Sequence, residues 1–158
     1  MCGVNMLLPS VSLSYDEFVS LIRSEHAFNE DMVSYIDRKG LQHYLKFDDY
    51  ISYLGKIDNL LLDKDITIKV EKYETMCNFN KGTVHIFYAK EGSPSFDEHC
   101  DPVDLMLQVT HGVKTIEMNQ RDYTLHKGER LYIPASTLHR ATNKYESIML
   151  SWGINDCT

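Results

Sequence analysis

The sequence predicts a mainly β fold with its helices gathered at the N-terminal end, and three observations carry that expectation. Apolar residues recur at helical spacing up to about residue 62, then alternate at strand spacing after residue 65. Turn-forming residues break the later part into short segments: Gly92-Ser93-Pro94, His111-Gly112, 119–122, Lys127-Gly128, Pro134 and Asn143-Lys144. The chain has 158 residues, 43% hydrophobic and 25% charged, which suits one globular domain with its own core. The expected division is a single domain with a helical part over 1–65 and a β core over 66–158. Short antiparallel strands at close spacing imply a sandwich or barrel, with the helices outside it covering an edge.

In chain order, residues 1–13 read as an arm or a short first strand. Ser14-Tyr15-Asp16-Glu17 has the form of a capping box, in which Ser14 caps and Glu17 reaches back. Phe18, Leu21 and Ile22 then mark a helix to about residue 24. A second short helix is expected over 30–37, capped by Asn29, with Met32, Val33 and Ile36 buried. A third, over 48–62, carries Tyr50, Ile51, Leu54, Ile57, Leu60 and Leu61. Strands are expected over 67–73, 83–89, 103–109, 113–118, 130–133, 138–142 and 147–152.

The net charge of −7, with no Lys/Arg-rich run, argues against nucleic acid or an anionic membrane as partner. The four cysteines, Cys2, Cys77, Cys100 and Cys157, are scattered without a C-x-x-C, unlike a disulfide framework or a structural zinc site. The first 13 residues lack the basic and apolar regions of a signal peptide. No stretch approaches the ~20 apolar residues of a membrane span. A cytoplasmic location is expected.

Chemistry-bearing residues concentrate in the stretch 95–114. His99-Cys100-Asp101 is a His-x-Asp pair, and on a strand His99 and Asp101 share a face with Cys100 turned away. A second histidine, His139, follows in Leu131-Tyr132-Ile133-Pro134-Ala135-Ser136-Thr137-Leu138-His139. Two imidazoles and one carboxylate can hold one face of an octahedral iron(II) and leave the other open. Taken alone, the dipeptide reads as a strand-end His and Asp exposed to water. In Val113–Met118, Lys114 shares the more apolar face with Ile116 and Met118. An amine there either snorkels from a strand end or serves an anion.

The residues Ile86-Phe87-Tyr88-Ala89-Lys90-Glu91-Gly92, Phe96, His99-x-Asp101, Asp104, Gln108, Gly112 and Lys114 resemble the JmjC-type cupin oxygenases. The nearest branch is the ribosomal-oxygenase group, with the asparaginyl hydroxylases as cousins. The later block Gly128-Glu129-Arg130-Leu131-Tyr132-Ile133-Pro134, then His139, is similar to that family's G-D-x-L-Y-I-P-…-H, with Glu129 in place of Asp. The resemblance covers about 83–153. It implies a double-stranded β-helix (cupin/jelly-roll) core and an Fe(II)- and 2-oxoglutarate-dependent oxygenase, consuming O2 and hydroxylating an amino-acid side chain of a polypeptide or a small molecule. It also implies His99, Asp101 and His139 as iron ligands and Lys114 as the partner of the far carboxylate of 2-oxoglutarate. Ser151 either adds a hydrogen bond to that co-substrate or is a packed serine.

Asp104 reads as a support to the ligands or as surface, and Gln108, Tyr132 and Trp152 as core. His26, His43, His85, His111 and His126 lack a partner at ligand spacing and are expected to be surface or packing residues. No nucleotide-binding glycine motif, P-loop or Ser/His/Asp pattern is present. Two alternatives stay open: another metal-dependent cupin enzyme (isomerase, lyase or 2-oxoglutarate-independent dioxygenase), or a non-catalytic cupin binding module. Lys114 disfavours the first and the complete ligand set the second. The N-terminal helices are left to cap the barrel, recognise substrate or form a homodimer interface.

Overall fold

A computed structural model describes residues 8–155. The sequence expectation for an arm or strand at 1–13 therefore lies partly outside the described residues, and 8–13 form neither helix nor strand. Helix α1 (Tyr15–Arg23) starts as expected, with the Ser14 hydroxyl accepting from the Glu17 backbone and the Glu17 carboxylate accepting from the Ser14 N–H. It stops at Ser24, which caps the short α2 (Glu25–Asn29). Helix α3 (Tyr50–Leu62) is capped by Asp49. The Tyr53 and Tyr50 hydroxyls donate to the carbonyls of Ile22 and Arg23, groups that the end of α1 leaves without a helical partner. Ile51, expected with the apolar residues of this helix, faces solvent at 75% exposure, because it lies opposite the buried stripe of Tyr53, Ile57, Leu60 and Leu61.

The expected helix over 30–37 is not formed. Asn29 ends α2 rather than capping a new helix, and Val33–Ile36 is strand β1, paired with β2 (Gln42–Tyr44). Met32, Val33 and Ile36 are buried as expected, but on a strand. The N-terminal part is thus not wholly helical: its two strands extend the same sheet as the β core, through β3 (Thr67–Val70), β4 (Gly82–Ala89) and β9 (Ser147–Ile154).

The organising strand is β5 (Asp104–Met118), one long strand where two were expected. Its first half pairs with β9 on one side and β7 (Arg130–Ile133) on the other. Its second half pairs with β6 (Arg121–His126), to which the sequence reading assigned no strand, and with β8 (His139–Thr142). The register shifts between Val109 and His111, and Gly112 follows at φ +72. A Cβ at Gly112 would stand 1.9 Å from the Glu146 carbonyl oxygen. The residues read as a turn are therefore a bulge, by which one strand bends from one sheet into the other and closes the barrel.

Strand pleat sorts the side chains of β3, β4 and β9 to two faces. Ile68, Val70, Ile86, Leu150 and Trp152 face outward and meet Phe18, Ile22, Ile57 and Leu60 of the helices. The helices thus cover a face of the sheet rather than an edge. The opposite face, with Lys69, His85, Phe87, Met149 and Ser151, lines a cavity inside the barrel. No helix among the described residues is long and apolar enough to cross a membrane.

Candidate metal centre

His99 and Asp101 lie on a largely irregular connector between β4 and β5, not on the regular strand that the His-x-Asp spacing suggested. One antiparallel rung fixes them. The His99 N–H donates to the His139 carbonyl at 3.0 Å and the His139 N–H donates back at 2.9 Å. Beside it, the Ser136 N–H donates to the Asp101 carbonyl at 2.7 Å. Asp104 accepts from the Ala135 N–H at 2.8 Å, so this carboxylate braces the turn leading to His139.

The rung brings His99, Asp101 and His139 together, with one ligand atom of each within 4.8 Å of the others. Each ring is oriented by its second nitrogen. His99 Nδ1 lies 2.8 Å from the Asp97 carbonyl, and His139 Nδ1 lies 2.9 Å from the Thr137 carbonyl. A carbonyl can only accept, so both Nδ1 atoms carry a proton, and in the neutral imidazoles both Nε2 atoms present lone pairs. The Nε2 atoms of His99 and His139 stand 3.6 and 3.4 Å from Asp101 Oδ2, and neither makes a hydrogen bond to it. Asp101 Oδ2 is buried and has no hydrogen-bond partner among the described residues. An unpaired buried carboxylate oxygen facing two lone pairs is costly unless a cation sits among them. The donor set therefore fits a divalent metal such as iron(II). Cys100 is exposed, away from this group as expected.

Lys114 lies in the same cavity, of ≈ 540 Å³, at its other end. His139 pairs in register with Met118, and Lys114 is four residues back along β5. At the strand rise this separates the two backbone positions by roughly 13 Å. Lys114 is only 2% exposed, so it does not snorkel. Its ammonium donates to Asn143 Oδ1 at 2.5 Å, and burial pulls its pKa down to about 8. Asn143 is itself held by its amide, which donates to the Ser93 and Pro94 carbonyls at 2.9 and 3.0 Å. Ser151 lines the cavity opposite His85 in the β4–β9 register. Gln108 and Trp152 are core, with Trp152 Nε1 donating to Gln108 Oε1 and Gln108 Nε2 donating to the Val11 carbonyl.

Three residues in or beside this cavity were not singled out from sequence: Lys69, Asn143 and, read as ordinary packing, His85. Lys69 alternates with Ile68 and Val70, so the pleat of β3 was the available clue. Nothing local marks Asn143, which reads as a turn residue. Burial, then the neighbouring Lys69, push the His85 pKa down. His43 and His111 pair instead with Asp37 and Glu146 outside the cavity.

No family model matches the chain, and no curated protein matches its sequence. Solved structures match its fold. The cupin-like protein tm1010 from Thermotoga maritima aligns at a TM-score of 0.50 and 16% identity, over 57% of this chain and 69% of that one. The chain has the double-stranded β-helix fold of the cupins, with helices added at its N-terminal end. The Escherichia coli ribosomal oxygenase YcfD aligns over 96% of this chain at a TM-score of 0.60 and 16% identity. Its structure in complex with cobalt and succinic acid aligns at 0.61 and 17%. The chain spans 45% of the YcfD chain, so the likeness is one of fold across less than half of that protein.

Proposed function

We propose that this protein is an Fe(II)- and 2-oxoglutarate-dependent oxygenase that hydroxylates an amino-acid side chain, in a polypeptide or a small molecule. The observation that carries the reading is one cavity with an oriented His99–Asp101–His139 group at one end and a buried ammonium, Lys114, at the other. Among the described residues Lys114 meets a neutral amide oxygen and no carboxylate. A buried ammonium is poorly compensated by a single neutral acceptor. A dicarboxylate with one end on the metal and the other on Lys114 would satisfy both ends of the cavity at once. The fold shared with YcfD, crystallised with cobalt and succinic acid, is consistent with such a ligand.

In this reading the metal, when bound, supplies oxygen activation coupled to oxidative decarboxylation of 2-oxoglutarate to succinate. The chain's own part is orientation. The Asp97 and Thr137 carbonyls hold both imidazoles in the tautomer that can ligate. Asn143 aims the Lys114 ammonium, and Ser151, on the cavity wall, would add a hydrogen bond to the co-substrate. Leu107, Ile116 and Met149 keep the space between the two ends apolar. Other metal-dependent cupin chemistries would use the same three ligands, but they leave Lys114 without a task.

Anaerobic titration of the iron(II)-loaded protein with 2-oxoglutarate tests this. A charge-transfer band in the visible is expected, absent in His99→Ala and needing more 2-oxoglutarate in Lys114→Ala. Bound iron without a band would turn the reading to another cupin chemistry. No bound iron would leave a binding module.

A further inference from the structure

The cavity holds a second cation that the proposed co-substrate does not use. Lys69 projects from β3 into it, with its side chain 13% exposed. Its ammonium sits 5.8 Å from the centre of the Phe87 ring and 5.6 Å from that of Phe96. The two rings meet edge to face at 6.5 Å, and Phe96 in turn lies 6.2 Å from the His99 ring. A continuous path of contacts, Lys69 to Phe96 to His99, thus joins this cation to the metal end. Its field reaches Asp101 and His85.

Lys69 is also poorly paired. Its carboxylate contact among the described residues is Glu71 Oε1, at 3.9 Å. That same oxygen already accepts from Gln42 Nε2 at 2.9 Å. Two other carboxylates lining the cavity, Asp97 and Glu98, are exposed at its rim. A largely desolvated ammonium on two aromatic faces with one long ion pair retains unused capacity for an anion. In a 2-oxoglutarate oxygenase the two co-substrate carboxylates are taken by metal and Lys114, so this capacity falls to the molecule being oxidised.

We infer that Lys69, Phe87 and Phe96 form a substrate subsite that selects a carboxylate attached to an apolar or aromatic body. This rests on the oxygenase reading above for the role of the ligand, but not for the existence of the subsite. Lys69 holds the carboxylate while the Phe87–Phe96 pair flanks the body, which places a C–H of that body toward the His99 end.

The probes are 3-phenylpropionate and 3-phenylpropanamide, nearly equal in shape and different in charge. Each is titrated calorimetrically into anaerobic iron(II)-loaded protein with saturating 2-oxoglutarate, while the charge-transfer band is followed. The acid should bind at least tenfold more tightly than the amide. Lys69→Gln should narrow that ratio below threefold with the band intact, and Lys69→Arg should preserve it. Equal binding of acid and amide, or an undiminished preference in Lys69→Gln, would overturn the subsite. So would loss of the band as the acid binds, since the acid would then occupy the co-substrate's place. Absence of the band from the outset sinks the oxygenase reading alone, and the acid-to-amide ratio is still decided on the iron-loaded protein.

Discussion

The apolar cluster between the helices and the sheet, and the smaller one inside the barrel, are built partly from neighbouring residues of one strand. Along β9, Ile148, Leu150 and Trp152 enter the outer cluster and Met149 the inner one. The outer cluster is continuous and includes Trp152, Phe18, Ile22 and Ile57 at essentially zero exposure. The inner one stops short of filling the barrel, because polar groups and a cavity of ≈ 540 Å³ occupy the rest. The difference shows where stability and chemistry reside. The helices give the sheet a second core, which leaves the barrel interior able to hold ill-paired groups such as Asp101 Oδ2 and Lys114.

Substitutions on opposite faces of β9 put this division to its hardest test. Trp152→Ala removes a fully buried indole and its hydrogen bond to Gln108, and should cost about 3–5 kcal/mol in denaturant unfolding. Met149→Ala borders space that is already open, and should cost about 2 kcal/mol or less. Equal losses would erase the distinction between the clusters.

Next in size is the gain expected from Lys114→Met. The native pKa of about 8 lies below the ordinary value of 10.5. The unfolded chain therefore binds more protons than the native chain between those values. Below pH 8 the charge carries a constant penalty of up to about 3 kcal/mol. Stability then rises with pH between about 8 and 10.5 as the native amine loses its proton. Lys114→Met should melt higher at pH 7 and lose that slope, whereas a lower melting temperature would mean the ammonium is stabilising without a ligand.

His139→Ala should separate function from folding at the other end of the cavity. Iron(II) affinity should fall by about 100-fold or more, with unfolding of the metal-free protein changed by only about 1 kcal/mol, the loss of the Nδ1 hydrogen bond to the Thr137 carbonyl. A larger loss of apo stability would make this end part of the structural core. The smallest effect is expected from Ser151→Ala, a weakening of 2-oxoglutarate binding by less than about fivefold, the loss of one neutral hydrogen bond. No change at all would return Ser151 to packing.

The parts legible in the sequence are those in which local pattern and tertiary role agree. The capping box at Ser14, most of the α3 stripe and the turn-bounded apolar runs of β4 and β9 are such parts. The His99–Asp101–His139 group and Lys114 were legible because their order matched a known pattern, and the cavity brings them together. Val33–Ile36 misled because Met32, Val33 and Ile36 fit helical spacing as well as a four-residue strand, and Val, Tyr and Ile carried the better clue. Strand β6 has one buried residue, Leu125, so it showed no strong alternation. Gly112 looked like a turn because a bulge and a turn ask for the same residue. Lys69 and Asn143 gain their meaning from partners remote in sequence, Phe96 for one and Lys114 for the other, which only closure of the barrel supplies.

The single rung between His99 and His139 has a mechanical consequence. The connector carrying His99 and Asp101 has almost no regular pairing of its own, and that rung is its principal tether to the β7–β8 turn. A bound metal would add bonds from both sides of the rung and clasp two chain segments 40 residues apart. Metal loading should then slow amide hydrogen exchange around residues 95–103 and 135–139 and shield the connector from proteases, while the helices and the outer cluster exchange as before. The loop would report occupancy of the centre through its own rigidity.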